Sequence, residues 1–294
     1  MSTNMMVFNR TAVRQNRDRA AKTLGDHDFL FVESAERLVS RLEDVNRSFI
    51  TALDLGCHGG ELARSIDRNF GIQTLIQADL SPSMAALAKT NEYPALACDE
   101  EALPFAEASF DLVLSNLSLH WVNDLPGALI QIRRALKPDG LLLATFFGSN
   151  TLQQLRIALH QAETDLKREF SSCISPLPDV RDLGNLMIRA GFALPVVDLD
   201  TITVSYSDPL RLLRDLRGMG ETNANTGRRK NFSRRTTILR ACEIYLKTFT
   251  EADGRIPATF EILTVTGWSP GQNQQKPLKP GTAQIQLADA LAEK

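Results

Sequence analysis

The residues Leu53-Asp54-Leu55-Gly56-Cys57-His58-Gly59-Gly60 decide the fold that we expect for this chain. They join an apolar strand at 49–55 to a cluster of glycines, which lack the Cβ that would keep a backbone away from a ligand. In open parallel sheets, ligands bind outside the carboxyl ends of the strands, where the strand order reverses. Because glycine turns after strands are common and often structural, this stretch alone is a moderate signal.

Outward from this stretch, short apolar runs alternate with helical stretches. We expect strands at 74–78, 95–97, 110–116 and 141–147, and helices at 61–70, 82–90 and 126–136, the last stopped by a turn at 137–140. Such alternation needs crossover connections and therefore a parallel sheet. The sequence predicts an open α/β sheet with its ligand at the strand ends.

The flanking regions complete the expected organisation as one domain. Helical spacing at 11–42 predicts a helical cover over residues 1–46. Beyond Gly148 we expect helices at 151–168, 179–190, 208–217 and 236–250, and strands at 196–206 and 259–267. The ligand-binding α/β unit would then comprise 47–206 and 257–268, with a helical insertion or lid at 207–256 and a tail at 269–294.

Charge and cysteine content narrow the class of protein. Lys plus Arg number 33 against 35 Asp plus Glu, and this balance gives no reason to expect nucleic acid as the obligatory partner. No C-x-x-C pair occurs among the cysteines, so we expect reduced thiols and no metal centre. No apolar run approaches the length of a transmembrane segment. The basic first twenty residues could be a transit peptide, but a first helix of the folded protein is preferred.

Acidic residues follow three successive strands and indicate the kind of ligand. Asp79 ends the second strand, 25 residues after Asp54, where a carboxylate can accept both hydroxyls of a ribose. It could also serve as an acid at the start of the following helix. An acid before the glycines, Asp54, suits a cationic ligand better than a diphosphate, and Asp99-Glu100 can accept the amine of an adenine. These features predict S-adenosylmethionine, which has a sulfonium and an ammonium group.

The ordered motifs of this region resemble those of class I S-adenosylmethionine methyltransferases. The resemblance covers about residues 50–148 and rests on 54–60, 79–81, 99–105, 110–113 and 136–140. It implies a Rossmann-like, open, mostly parallel seven-stranded sheet with a helical N-terminal cover and a helical insertion before the last strand. His58 stands where these enzymes usually have glycine. We expect the cofactor to contact Asp54, Gly56, His58, Gly60, Asp79, Asp99, Glu100 and Asn116.

A closer resemblance extends over nearly the whole chain. Residues 8–10, 17–21, 117–126, 181–186 and 215–224 are similar to the mitochondrial complex I assembly factor five family and its alphaproteobacterial relatives. That family implies a protein partner, a complex I subunit, on which an arginine is hydroxylated. It also implies the mitochondrial matrix in a eukaryote, or the cytoplasm in a bacterium. The related biotin-pathway enzyme, which methylates the carboxyl of malonyl-carrier protein, shares the first half.

Three residues are the candidates for chemistry. His120 follows the fourth strand and could act as a base, while Trp121 could shield the sulfonium; a packed aromatic with a backbone-bonded histidine is the alternative. Glu221, in a loop with two glycines, could meet a substrate guanidinium or simply cap a helix end. No H-x-D or H-x-E pair supports iron-dependent oxygen chemistry. A methyltransferase, an arginine hydroxylase and a non-catalytic assembly chaperone therefore stay open.

Overall fold

The computed structural model describes residues 6–66, 70–166, 175–228, 234–272 and 274. The segments 167–168 and 67–69, which end two of the expected helices, lie outside the described residues. So do Cys173 and nearly all of the expected tail beyond 272. No helix in the described part of the chain is both long and apolar enough to cross a membrane.

Seven strands form one open sheet, as the sequence predicts. They are β1 (Thr51–Leu55), β2 (Thr74–Asp79), β3 (Ala95–Ala97), β4 (Phe110–Ser115), β5 (Leu136–Phe147), β6 (Ala193–Tyr206) and β7 (Ile256–Trp268), in the order β3-β2-β1-β4-β5-β7-β6. The first five are parallel, while β7 runs antiparallel to both β5 and β6. The strand order reverses between β1 and β4, so the carboxyl end of β1 lies at the position where such sheets bind ligands.

Helices cover both faces of the sheet. They are α1 (Arg10–Ala20), α2 (Phe29–Glu43), α3 (Glu61–Ser65), α4 (Pro82–Ala88), α5 (Leu125–Ala135), α6 (Gln153–Asp165), α7 (Val180–Ala190), α8 (Pro209–Gly218) and α9 (Arg235–Phe249). Alternate residues of a strand point to opposite faces. Accordingly, Leu112 and Leu114 pack in the core that α2 and α3 share, whereas Val113 packs in the core of α5 and α7.

The N-terminal cover consists of two helices, where the sequence predicted one over 11–42. A short 3₁₀ helix, Leu24–Asp26, separates α1 from α2, and Gly25 lies in this break. Glycine has low helix propensity, and the break lets the two helices pack on different parts of the molecule. α2 covers a sheet face, while the buried side of α1 contributes Ala12 and Val13 to a small cluster with Trp121.

Two further boundaries differ from the expectation. The turn predicted at 137–140 is part of β5, where Asp139 takes a φ of +61° and the pairing with β4 shifts register after Phe110. α3 ends at Ser65 instead of continuing to 70. The insertion predicted at 207–256 corresponds to α8 and α9, which connect the antiparallel strands β6 and β7. The division into the four segments stays a prediction.

Candidate functional site

The glycine turn after β1 has the conformation that its residues require. Gly56 and Gly60 lie in the left-handed region with φ of +76° and +84°. A Cβ on Gly56 would stand 1.9 Å from the Oγ of Ser118, which belongs to the loop after β4. The backbone N–H groups of Gly56 and Cys57 both donate to the carbonyl of Ala78. The turn therefore closes β1 tightly against the ends of β2 and β4.

Asp54 is a buried carboxylate without a hydrogen-bond partner among the described residues. Its side chain is fully buried on β1, and neither Oδ1 nor Oδ2 accepts a hydrogen bond. Burial raises the pKa of Asp54 well above its usual range, and the neighbouring charges of Glu61 and Asp79 add to this. An unpaired buried acid is costly unless a donor or a cation reaches it. This orphaned carboxylate fits the cationic part of S-adenosylmethionine, the ligand that the sequence predicts.

Asp79, at the end of β2, accepts hydrogen bonds from two nearby backbone N–H groups. Oδ1 accepts from the N–H of Ser81 at 2.7 Å, and Oδ2 accepts from the N–H of His58 at 3.1 Å. Nη1 of Arg17 lies 3.3 and 3.2 Å from the two oxygens. Asp79 thus faces the glycine turn as predicted, while its bond to Ser81 also matches the alternative role at the start of α4.

Arg17 of α1 occupies the space between the strand-end acids. Its side chain is 1% exposed, and it donates to Asp79, to Oε1 of Glu100 at 3.3 Å and to Oγ of Ser118 at 2.8 Å. Burial by itself would lower the pKa of Arg17, but the charges of Asp79 and Glu100 outweigh it and raise the pKa. One buried cation therefore compensates two buried acids.

Arg10 makes a second link between α1 and the acids after β3. It donates to Oδ1 of Asp99 at 2.7 Å, to Glu100 and to the carbonyl of Trp121. The carboxylates predicted to meet an adenine amine are thus paired with α1 in this structure. Asp99 and Glu100 lie together as expected, but their arginine partners are not among the site residues predicted from the sequence.

The spacing of these arginines is a signal that could have been found. Arg10 and Arg17 are seven residues apart, which places them on one face of a helix together with Val13 and Ala20. Val13, Arg17 and Ala20 are all buried. Cations on the apolar face of an amphipathic helix need a buried anionic partner. The strand-end acids are those partners.

His58 and Asn116 face each other across the strand ends, but their side chains are mostly engaged within the protein. Nε2 of His58 lies 3.1 Å from the carbonyl of Asn116, and its ring stacks on Phe31 with centroids 4.2 Å apart. Burial, followed by the charge of Arg17, lowers the pKa of His58 to about 3, so the ring is neutral at pH 7. The Asn116 amide donates to the carbonyl of Phe31 and accepts from Thr145. Nδ1 of His58 lacks a partner among the described residues.

The three residues proposed for chemistry lie in contact. Oε2 of Glu221 is 3.2 Å from Nε2 of His120, and Nε1 of Trp121 donates to both Glu221 oxygens at 3.2 and 3.1 Å. The ring of Trp121 packs edge-on against Phe8. Burial opposes ionisation of Glu221, but the attraction of His120 outweighs it and lowers the pKa of this carboxyl. The loop after α8 therefore closes on the residues that follow β4.

This contact changes the role open to Glu221. The sequence leaves a substrate guanidinium or a helix end as the partner of Glu221, but in the structure both of its oxygens are already hydrogen-bonded, to Trp121 and His120. The arrangement suits a carboxylate that orients His120, whose Nδ1 has no partner in the described part of the chain. Within the same part of the chain, no group of three or more His, Cys, Asp and Glu side chains could hold a metal ion.

Comparisons with known proteins identify the family of this chain. A family model described as a methyltransferase domain matches residues 53–144, from the glycine turn to β5. The chain is 43% identical to the arginine-hydroxylase NDUFAF5, mitochondrial, of Danio rerio, over 97% of this chain and 89% of that protein. It is 32% identical to a malonyl-[acyl-carrier protein] O-methyltransferase of Methylovorus sp., over 92% of each.

A solved structure shares the fold at low sequence identity. The phosphoethanolamine N-methyltransferase 2 of Haemonchus contortus, in complex with S-adenosyl-L-methionine, has a TM-score of 0.54 and 18% identity, covering 88% of this chain and 60% of that one. The relative that is 43% identical over nearly the full length decides the family, and the solved structure agrees with the fold. The chain belongs to the NDUFAF5 family, within the superfamily of S-adenosylmethionine-dependent methyltransferase enzymes.

Proposed function

We propose that this protein binds S-adenosylmethionine at the carboxyl ends of β1, β2 and β3 and modifies an arginine of a protein partner. The observation that carries the binding site is Asp54, a fully buried carboxylate with neither oxygen hydrogen-bonded, directly before the glycine turn. A ligand with a sulfonium and an ammonium group would offset the cost of burying this charge. Asp79 would accept the ribose hydroxyls from its position beside the turn, where two backbone N–H groups orient it.

Binding of this ligand requires a change in the position of α1 or in the conformation of its Arg17 side chain. Arg17 now donates to Asp79 and Glu100, the two acids proposed for the ribose and the adenine. When a ribose binds to Asp79, the guanidinium of Arg17 would have to give up at least its contact with this carboxylate. The methionine part of the ligand has a carboxylate, and Arg17 is the nearest buried cation to the glycine turn that the described residues offer. We therefore expect α1 to shift or Arg17 to turn when the cofactor binds, with Arg10 keeping α1 near the site.

His120, Trp121 and Glu221 would form the side of the site that faces the partner. Glu221 holds His120 through Nε2, which leaves Nδ1 without a partner among the described residues. An imidazole held in this way can accept a proton at Nδ1, the task of a general base. S-adenosylmethionine, when bound, supplies an activated methyl group in this superfamily. The chain itself orients His120, excludes water with Trp121 and compensates charge with Arg17.

The proposed protein partner comes from the name of a relative and from the family resemblance. The relative that is 43% identical is named an arginine-hydroxylase. The family that the sequence resembles implies a complex I subunit as partner, so an arginine of such a subunit is the proposed target. We place the reaction in the mitochondrial matrix for a eukaryotic source and in the cytoplasm for a bacterial one. Methyl transfer to a carrier-protein carboxyl is the second candidate, because the malonyl-[acyl-carrier protein] O-methyltransferases match over 92% of this chain.

Calorimetric titration tests cofactor binding. The full chain should bind S-adenosylmethionine, and Asp54→Asn and Asp79→Asn should each weaken binding by on the order of 2 kcal/mol, since a charged acceptor is lost. Glu107→Gln, an exposed acid in the loop before β4, is the matched control and should bind as the wild type does. Absence of heat at saturating ligand would refute the proposed site.

Mass spectrometry of the partner tests the activity. Complex I subunits from cells with the wild-type protein should contain an arginine heavier by one oxygen atom, and the cells without this protein should lack it. An arginine or a carrier-protein carboxyl heavier by one methylene group would instead support methyl transfer. Glu221→Gln should reduce the modified fraction while cofactor affinity is retained, because it alters the partner of His120 and Trp121 and none of the strand-end acids.

A further inference from the structure

The surface beside the proposed site has a group of arginines without ionic partners. We define the basic surface as Arg19 of α1 and Arg211, Arg214 and Arg217 of α8. All four are exposed, and within the described ranges no carboxylate lies at ion-pair distance from any of them. The chain as a whole has a net charge of −2, so this positive surface is a local feature.

The single acid of each helix bonds to a residue outside the basic surface, whose four arginines point outward. Asp18, the one acid of α1, lies 2.5 Å from Oγ of Ser81. Asp215, the one acid of α8, lies 2.8 Å from Nδ1 of His27. Leu212 and Leu216 pack inward on α8, opposite to its arginines. No internal acid is thus left to neutralise the basic surface.

Arg19 and Arg217 also repel each other. Partial burial, followed by the charge of Arg217, lowers the pKa of Arg19. These two like charges lie where α1 meets α8, and they destabilise the packing of the two helices. The other charged groups of these helices either have a partner or face solvent. An external anion would relieve this repulsion.

The basic surface borders the loop that reaches the site. Nη2 of Arg19 donates to Oγ1 of Thr222 at 3.0 Å, and Asn16 donates to the carbonyl of Thr222. Glu221, the preceding residue, contacts His120 and Trp121. A partner that docks on the basic surface would therefore lie next to the residues proposed to act on its arginine.

We propose that the basic surface binds an acidic segment of the protein substrate, adjacent to the arginine that is modified. This inference rests on the proposed function for the identity of the partner as a protein. Complementary charge speeds encounter and selects the partner. Base stacking on aromatic side chains is the usual addition in single-stranded nucleic-acid sites, and α1 and α8 contain no aromatic residue. An acidic polypeptide therefore fits this surface better than RNA.

Fluorescence anisotropy with the full chain provides the test. The probe is a fluorescein-labelled peptide with one arginine flanked on both sides by glutamates, and its control has glutamines in their place. The acidic peptide should bind more tightly, and its affinity should fall with salt, because exposed charges are screened. In the combined variant Arg211→Glu, Arg214→Glu and Arg217→Glu, affinity should fall by about tenfold or more.

A matched variant distinguishes an effect of the basic surface from an effect of the change in net charge. Arg181→Glu, Arg189→Glu and Lys247→Glu change three exposed cations of α7 and α9 by the same charge, and the affinity should stay within about twofold of wild type. Equal loss in both variants, or none in the α8 variant, overturns the inference. So does binding of an RNA oligonucleotide or of anionic vesicles that depends on the α8 arginines while the acidic peptide does not bind.

The outcome can be told apart from failure of the proposed function. Both combined variants should bind S-adenosylmethionine as the wild type does, because none of their substitutions touches a strand-end acid. If wild-type protein modifies an arginine in cells and the α8 variant does so equally, docking on the basic surface is wrong and the proposed function stands. If wild-type protein modifies none, the proposed function is wrong, and peptide binding still decides the docking surface.

Discussion

Replacing Arg17 by methionine should destabilise the folded protein more than any surface substitution on the same helix. Methionine keeps most of the length of the side chain, so packing changes little while the buried charge is lost. Arg17 is 1% exposed and donates to Asp79, Glu100 and Ser118. Removing one member of a buried ion pair leaves an uncompensated charge, which typically costs about 3–5 kcal/mol.

The structure places the expected loss at the lower end of that range. Asp79 keeps the N–H groups of Ser81 and His58, and Glu100 keeps its contact with Arg10. Both acids therefore retain donors after the substitution, and we expect a loss of about 3 kcal/mol in the free energy of unfolding. Arg14→Met is the control, because Arg14 lies on the same helix, is 54% exposed in its side chain and is 3.9 Å from its partner Asp18. Its effect should stay within about 0.5 kcal/mol.

Urea unfolding at pH 7 is the measurement. The loss in Arg17→Met should exceed the loss in Arg14→Met by at least about 2 kcal/mol, because only the first substitution removes a buried charge from its ion pairs. A loss in Arg17→Met equal to that in Arg14→Met would refute the reasoning.

Three further predictions concern the glycine turn. Burial raises the pKa of Glu61 to about 7 from its usual 4.5, so the free energy of unfolding should fall as pH rises between these values. Urea midpoints of Glu61→Gln should lack that part of the pH dependence, and an unchanged pH dependence would contradict the prediction. Gly56→Ala should lower the free energy of unfolding by more than about 1–2 kcal/mol, because Gly56 has a positive φ and a Cβ there would overlap Ser118. Thermal unfolding should show partial recovery when Ser118→Gly is added, and no recovery would disprove the contact. Elemental analysis of wild type and His58→Ala should find no stoichiometric zinc or iron, and a metal lost only from the variant would reverse this.

Much of the site could be predicted from the sequence, because its signals are local. The run from Leu53 to Gly60 combines an apolar strand with residues that tolerate left-handed backbone, and Gly56 and Gly60 adopt that conformation. Asp79 and Glu100 follow strands of a parallel sheet, whose carboxyl ends meet at one edge, and one guanidinium contacts both. Strand periodicity, glycine placement and acid spacing are properties of short segments, so the sequence by itself determined the fold and the place proposed for the site.

Only the tertiary structure decided which partners these residues have. Arg17 lies 62 residues from Asp79 along the chain, and Glu221 lies 101 from His120. No local pattern specifies such pairs, because they depend on how α1 and the loop after α8 pack against the strand ends. The same packing turned Glu221 inward, where the sequence left open a contact with a substrate guanidinium or a helix end. A buried charge is costly unless it is paired, and which groups pair is a property of the three-dimensional arrangement that brings them out of water together.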